Sequence, residues 1–389
     1  MRARWMGLVL AVGGVLMAPH AVWAASVPHL VNQQIQSLNT TGLEQSVNQM
    51  IHQSGGPALP SVGQIAHAVL EKKVPFDPQT LLAALGTALL GDLGVEGRVL
   101  GIIFLLTVLA ALLARLGETF ETNDKQGLVA LTQMVVVSAL ILVALHSFGV
   151  AITMVRSLVG NLVHFMESLI PLLMVLIAGS GAVASAGIFH PLMLLVTNVV
   201  AVLTKQWVLP LVLMATLVEL ISVWLPRFSL KNLAGLFRTV GLTLLGGLMT
   251  LFLGVMAVEG AAGSVADGVT LRTGKFLANT FVPVIGKMFS DAMEAVLGSS
   301  MLLKNAVSVF GALGIIALVA FPLVKLFAMM ALYRVGAAAS EPLGVPGVGA
   351  ALNLMANALG WLMAIAGAVA LMFFLVVTVV VSTTNGVQL

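Results

Sequence analysis

The chain has 389 residues, 59% of them hydrophobic and 8% charged, with a formal net charge of +3 and no cysteine. Ordinary soluble domains carry about 25% charged residues, so the solvent for most of this chain is lipid. The missing cysteines exclude disulfides, thiolate metal sites, a lipoprotein anchor and iron–sulfur chemistry. So small a charge gives no footprint for nucleic acid, and continuous apolar runs without period-two alternation exclude a β-barrel. The fold class is all-α, a polytopic transmembrane helical bundle.

Residues 1–25 read as a signal peptide: Arg2 and Arg4 form the basic end, Trp5 to Ala18 the apolar core, and Val22-Trp23-Ala24 a small-residue cleavage site. The core is short for a span, so cleavage is expected, leaving Ser26 outside the cytoplasm. Residues 26–97 form a polar, extracytoplasmic helical region. Val47, Met50 and Ile51, with Ile35 and Leu38 before them, fall at roughly helical spacing. Asn39-Thr40-Thr41-Gly42 interrupts that pattern and Gly55-Gly56-Pro57 ends it. Asp77-Pro78 is a helix start, with Asp as cap and Pro in the first turn.

Residues 98–389 form a multi-span membrane domain. The spacing predicts about eight spans: Val99–Ala114, Leu128–Val150, Leu169–Ile188, Leu192–Thr204, Val208–Val223, Val240–Val258, Ala306–Leu332 and Ala350–Val381. Alternation from an exported Ser26 puts four segments inside: Arg115–Lys125, a tight Phe189-His190-Pro191 turn, Pro226–Thr239 and Tyr333–Gly349. Arg227, Lys231 and Arg238 then face the cytoplasm with Lys325 and Arg334, in keeping with the positive-inside bias. A parallel internal repeat is compatible with the chain, 126–237 against 238–349. It would lay Pro171 on Pro283, Pro210 on Pro322 and Leu128–Val150 on Val240–Val258. The small-residue blocks Ala178–Gly187 and Gly336–Gly349 read as packing seams or hinges.

No enzyme motif is present: there is no His-Glu-x-x-His, no Gly-x-Ser-x-Gly and no Walker loop. Gly268-VTLRT-Gly274-Lys275 misses the last by one residue between its glycines and by Phe276 in place of Ser or Thr. The seven histidines are scattered, none at ligand spacing from another within a helix, and no cofactor or metal is implied. Ionisable residues within apolar runs are functional candidates. Glu219 lies close enough to Trp224 and Arg227 to snorkel or pair, and Lys325 is near a span end. Lys304-Asn305 marks the junction between an amphipathic segment, broken at Pro283 and Gly286, and a long apolar run. Asp291 and Glu294 upstream are acids that could pair with Lys304 or line a polar path with it; an ordinary snorkelling lysine is the alternative.

That same block carries a resemblance. The strings FVPVIG, SDAMEAVLGSS and LLKNAV, within Phe276–Val307, resemble the stage III sporulation protein AE family of endospore formers. The resemblance implies an integral component of a channel-like, feeding-tube complex between mother cell and forespore. Such a protein sits in the outer forespore membrane and supports late forespore gene expression. Its implied partners are the other proteins of the stage III sporulation A operon and the stage II sporulation protein Q, with the lipid bilayer around it. The family-like positions are Pro283, Gly286, Asp291, Glu294, Gly298, Lys304 and Asn305, none with a catalytic role. The residues alone leave open a free-standing secondary transporter of unknown substrate, and they leave open whether the chain associates with copies of itself.

Overall fold

A computed structural model describes residues 40–71, 73, 78–119, 125–224, 230–281, 285–343 and 346–382, with 259–281 and 285–295 among the parts given by backbone alone. Every regular element among them is helical. In chain order these are α1 (Thr40–Gln53), α2 (Val62–Leu70), α3 (Pro78–Thr119), α4 (Lys125–Gly179), α5 (Val183–Leu203), a π-helical turn (Thr204–Val208), α6 (Leu209–Trp224), α7 (Lys231–Phe281), α8 (Ile285–Ser340) and α9 (Pro346–Ser382). Five stretches are long and apolar enough to cross a membrane: Ser138–Gly179, Val183–Val223, Lys231–Val258, Val296–Ser340 and Gly347–Val379. The chain is therefore an all-helical protein with several candidate spans, of the multi-pass membrane class.

Several expected breaks are helix. Phe189-His190-Pro191 is not a turn, because α5 runs through it with Pro191 inside. The turn falls earlier, at Ser180–Ala182, where Gly181 has φ 94° and a side chain would strain the backbone. The Lys205–Trp207 stretch expected between two spans is a π-helical turn that joins α5 to α6 without a loop. Leu169–Ile188, Leu192–Thr204 and Val208–Val223 are thus not three spans but the end of α4 and one continuous helical stretch. The break expected at Pro283 and Gly286 matches the change from α7, ending at Phe281, to α8, starting at Ile285 with Gly286 in its first turn, whereas Lys304-Asn305 stands inside α8. Prolines at 171, 191 and 322 are all tolerated inside helices, as helices packed among neighbours allow.

The 41-residue stretch Val183–Val223 is about 62 Å long at 1.5 Å per residue, roughly twice a bilayer's hydrocarbon core. Its neighbours match it in height. Helix α4 runs antiparallel to α8: the Phe165 ring lies against Phe310 and Gly314, Leu169 against Gly311, and Gly179 against Ser300. A Cβ on Gly314 would stand 2.7 Å from Phe165 Cζ, and one on Gly311 would stand 2.7 Å from Leu169 Cδ2. Glycine is what lets the two axes approach here. Helix α9 folds back along α8, with Gly349 against Ser340, Gly360 facing Met330 and Val377 reaching Gly311. Helix α7 returns along α6, Gly241 against Leu211 and Val208.

Helix α8 is the axis of the bundle, with 61% of its most apolar window buried, against 28% for α7. On α7 the exposed Leu233, Leu236, Val240, Leu244, Leu251 and Val258 recur at three-, four- and seven-residue spacing, the exposed stripe of a peripheral helix.

The first two helices form a small cap. Leu43, Val47 and Ile51 of α1 and Val62, Ile65 and Ala66 of α2 are buried. Val62 N–H donates to Glu44 at 2.9 Å and Leu59 N–H to Asn48 at 2.8 Å, while Ser61 and Gln64 make a reciprocal capping box. Gly55, at φ 87°, turns the chain out of α1. Gly56 then packs so close to α8 that a Cβ would meet the Phe321 ring at 2.7 Å. Helix α3 begins at Pro78 as expected; Asp77, Ile35 and Leu38 lie outside the described residues.

Candidate functional site

The polar groups of the bundle fall at three levels along α8. The first holds the residues expected from sequence. Lys304 is 1% exposed, between the Gly179–Ser300 and Leu169–Gly311 contacts of α4 with α8. Asn305 Oδ1 and Ser308 Oγ are buried with no hydrogen-bond partner among the described residues. An unmet buried oxygen costs about 1–3 kcal/mol, so two within one turn make this stretch dear to keep polar. Gly298 is exposed with open space where a side chain would stand. Gly286, Asp291 and Glu294 are described by backbone only, on the same helix. Glu294 stands roughly 15 Å and Asp291 roughly 20 Å from Lys304 along the axis, whereas ion pairs on one helix join residues three or four apart. Pro283 lies outside the described residues.

The second level is at α6, α7 and α9. Glu219 pairs with Arg238 across two helices, each side chain about one quarter exposed (27% and 26%). The Arg238 guanidinium also stands 5.8 Å from the Trp361 ring centroid, a cation–π contact. One helix away, Arg334 donates to Asn357 Oδ1 at 2.8 Å. Glu219 is thus a paired carboxylate whose partner is Arg238; Arg227 lies outside the described residues. Neither Trp361 nor Asn357 stood out in sequence: the partners are far apart in the chain, and no local period signals them.

The third level crosses the middle of the bundle. Lys325, half-buried, lines a cleft of about 430 Å³ with Gln53, Asp92, Ser157, Asn161 and Pro322, where the cap, α3, α4 and α8 meet. A neighbouring hollow of about 650 Å³ shares Lys325 and Ser157 and extends to His146 and Thr153. On the other side of α4, Arg156 Nη2 donates to the Lys205 carbonyl in the π-helical turn at 3.3 Å. Lys325 therefore lies within α8, which continues past it to Ser340. Lys205-Gln206-Trp207 was legible as an interruption between apolar runs. Its π geometry was not, because that needs one extra residue wound into the turn, often at a functional position. Among the described residues no three His, Cys, Asp or Glu side chains gather as a metal site.

A tall, glycine-seamed bundle with charges at discrete levels defines an integral, multi-pass helical membrane protein. The comparisons carry this further. The family profile for stage III sporulation protein AE matches residues 61–384. The stage III sporulation protein AE of Bacillus subtilis (strain 168) is 33% identical over 362 residues, covering 93% of this chain and 90% of that protein. The chain belongs to the stage III sporulation protein AE family. No solved structure matches it.

Proposed function

We propose that this chain acts in endospore formation as an integral membrane component of the channel complex joining mother cell and forespore, required for late forespore gene expression. The observation that carries the reading is similarity along nearly the whole chain to a protein named for stage III of sporulation. The partners are the other proteins of the stage III sporulation A operon and the stage II sporulation protein Q. The site is the outer forespore membrane, with the chain made in the mother cell and its N-terminal region exported after signal cleavage. The chain contributes structure and a path rather than bond chemistry. We read Lys304 and Asn305, with the family-like Pro283, Gly286, Asp291, Glu294 and Gly298 before them in the chain, as residues that serve the complex through α8, Lys304 from a buried position.

The membrane covers one half of the bundle's height. Helix α6 has Lys205 and Trp207 before it, Trp224 at its end and Arg227 and Lys231 beyond. Tryptophan and basic residues at both ends of an apolar helix mark the two interfaces. The lipid-facing half then holds the apolar parts of α3, α4 and α8 with α6, α7 and α9. Arg227 and Lys231 face the cytoplasm. The cap, α5 and the distal end of α4 stand on the exported side, with Lys325 at the outer interface. This placement has six crossings, the five candidate stretches and α3, where the sequence predicts about eight. The paired long helices α4 with α5–α6, and α7 with α8, favour the parallel duplication of 126–237 and 238–349.

Deleting the gene should block sporulation after engulfment and leave vegetative growth intact. A growth defect on one nutrient with normal spores would instead support a free-standing transporter.

A further inference from the structure

Arg156 and Lys205 meet where α4 crosses the π-helical turn. The Lys205 ammonium lies over Gly160, 3.0 Å from where a Cβ would stand, and Arg156 donates to the Lys205 carbonyl at 3.3 Å. Gly160 follows Arg156 by one helical turn, so the ammonium and the guanidinium share one face of α4. Helix α4 carries a single acid, Glu167, about 10 Å further along its axis and in contact with His164 at 3.3 Å. The stretch Val183–Trp224 has no acid before Glu219, at the far end of α6. Among the described residues neither cation is ion-paired with a carboxylate, and two cations brought together so repel, the more so the less water reaches them. An anion between them removes that cost.

The surroundings say which anion. Trp207, two residues after Lys205, is 57% exposed, and Met214 and Ile221 further along α6 are exposed and apolar. Trp207 and Trp224 stand about 26 Å apart along the helix, close to a hydrocarbon core of roughly 30 Å. Both cations therefore lie at headgroup depth. We propose that Arg156 and Lys205 form a binding site for the phosphate of an anionic phospholipid, with Trp207 against its glycerol–acyl boundary. Gly160 leaves room for the ammonium to reach that phosphate. The site rests on the membrane placement given above.

The full chain, purified in detergent micelles, should bind phosphatidylglycerol in preference to phosphatidylcholine by native mass spectrometry. Arg156→Gln and Lys205→Gln should each weaken that binding about fivefold, the effect of one basic residue near an anionic surface. Lys73→Gln, on the exposed cap, should leave it unchanged. Gly160→Ala keeps both charges and improves helix propensity but crowds the ammonium, so it should weaken binding in a chain that still folds. Equal affinity for the two lipids, or displacement of phosphatidylglycerol by millimolar inorganic phosphate, would overturn the lipid site. Quenching by acyl-brominated lipid separates the two layers of the argument. Loss of the fluorescence difference between wild type and Trp207→Phe supports the headgroup depth. If that difference persists, the membrane placement itself is wrong.

Discussion

Lys304 shows what a single residue can and cannot declare. A Lys-Asn pair amid apolar residues was visible in sequence, and the structure buries the lysine almost completely. The acids thought able to pair with it were read from proximity in the chain, but a continuous α8 spaces them too far along its axis. Substitution separates packing from function. Lys304→Met keeps the alkyl length and removes the charge, so the chain should fold with a near-normal unfolding temperature while spore yield falls. Lys304→Glu puts a carboxylate in the same buried space, so the amount of folded protein itself should fall. Lys73→Glu should do neither, because Lys73 pairs with Glu71 on a fully exposed surface, where such pairs contribute little. Equal spore yields from Lys304→Met and wild type would reduce Lys304 to a packing residue.

The Glu219–Arg238 pair makes a complementary case. Its side chains are partly exposed, so removing one partner should cost on the order of 1–2 kcal/mol, between the surface and fully buried limits. Glu219→Gln leaves the guanidinium with Trp361 but without its carboxylate. Combining it with Arg238→Gln should recover part of the loss in detergent-solubilised protein. Simple additivity in that double-mutant cycle would mean the two side chains do not act as a unit.

At the scale of elements, helices read well from apolar runs and breaks read badly. The sequence stretches Val208–Val223 and Val240–Val258 fall within α6 and α7 nearly as drawn, and Pro78 opens α3. Here glycine, not proline, makes the break. Pro191 looked like a stop, yet its neighbours hold the helix through it, while Gly181 makes the turn because its φ suits glycine alone. The seams between helices were legible as small residues, but the chain does not say which ring fills which gap. Gly314 faces Phe165 closely enough that Gly314→Val should destabilise the bundle by about 1–3 kcal/mol through overpacking. Trimming the ring with Phe165→Leu in the same chain should restore much of that stability. No rescue in thermal unfolding would show that the strain lies elsewhere.

For the whole molecule the decisive quantity is height. Hydropathy alone counts a span for every apolar run, and it has no means of knowing that two runs stack end to end in one helix. Five candidate stretches, four of them of 33 residues or more, exceed what a bilayer of roughly 30 Å requires, so part of the bundle must stand outside lipid or be tilted strongly within it. The docking of the cap at Phe321 and the basic groups at mid-height favour the first. Because the chain has no cysteine, single substitutions report position without background. Val183, exposed at the start of α5, becomes the distal end of the exported half if the placement holds; if α5 were a span of its own, it would lie in lipid or at the cytoplasmic face. Val183→Cys should react with a membrane-impermeant maleimide applied to the exported side of intact membranes. Lys231→Cys, at the start of α7, should react only after permeabilisation. Labelling of residue 231 from the exported side would reverse the bundle. Protection of residue 183 from both sides would return α5 to the bilayer, and the polar level at Lys205 would then lie within a membrane-embedded helix pair instead of at its surface.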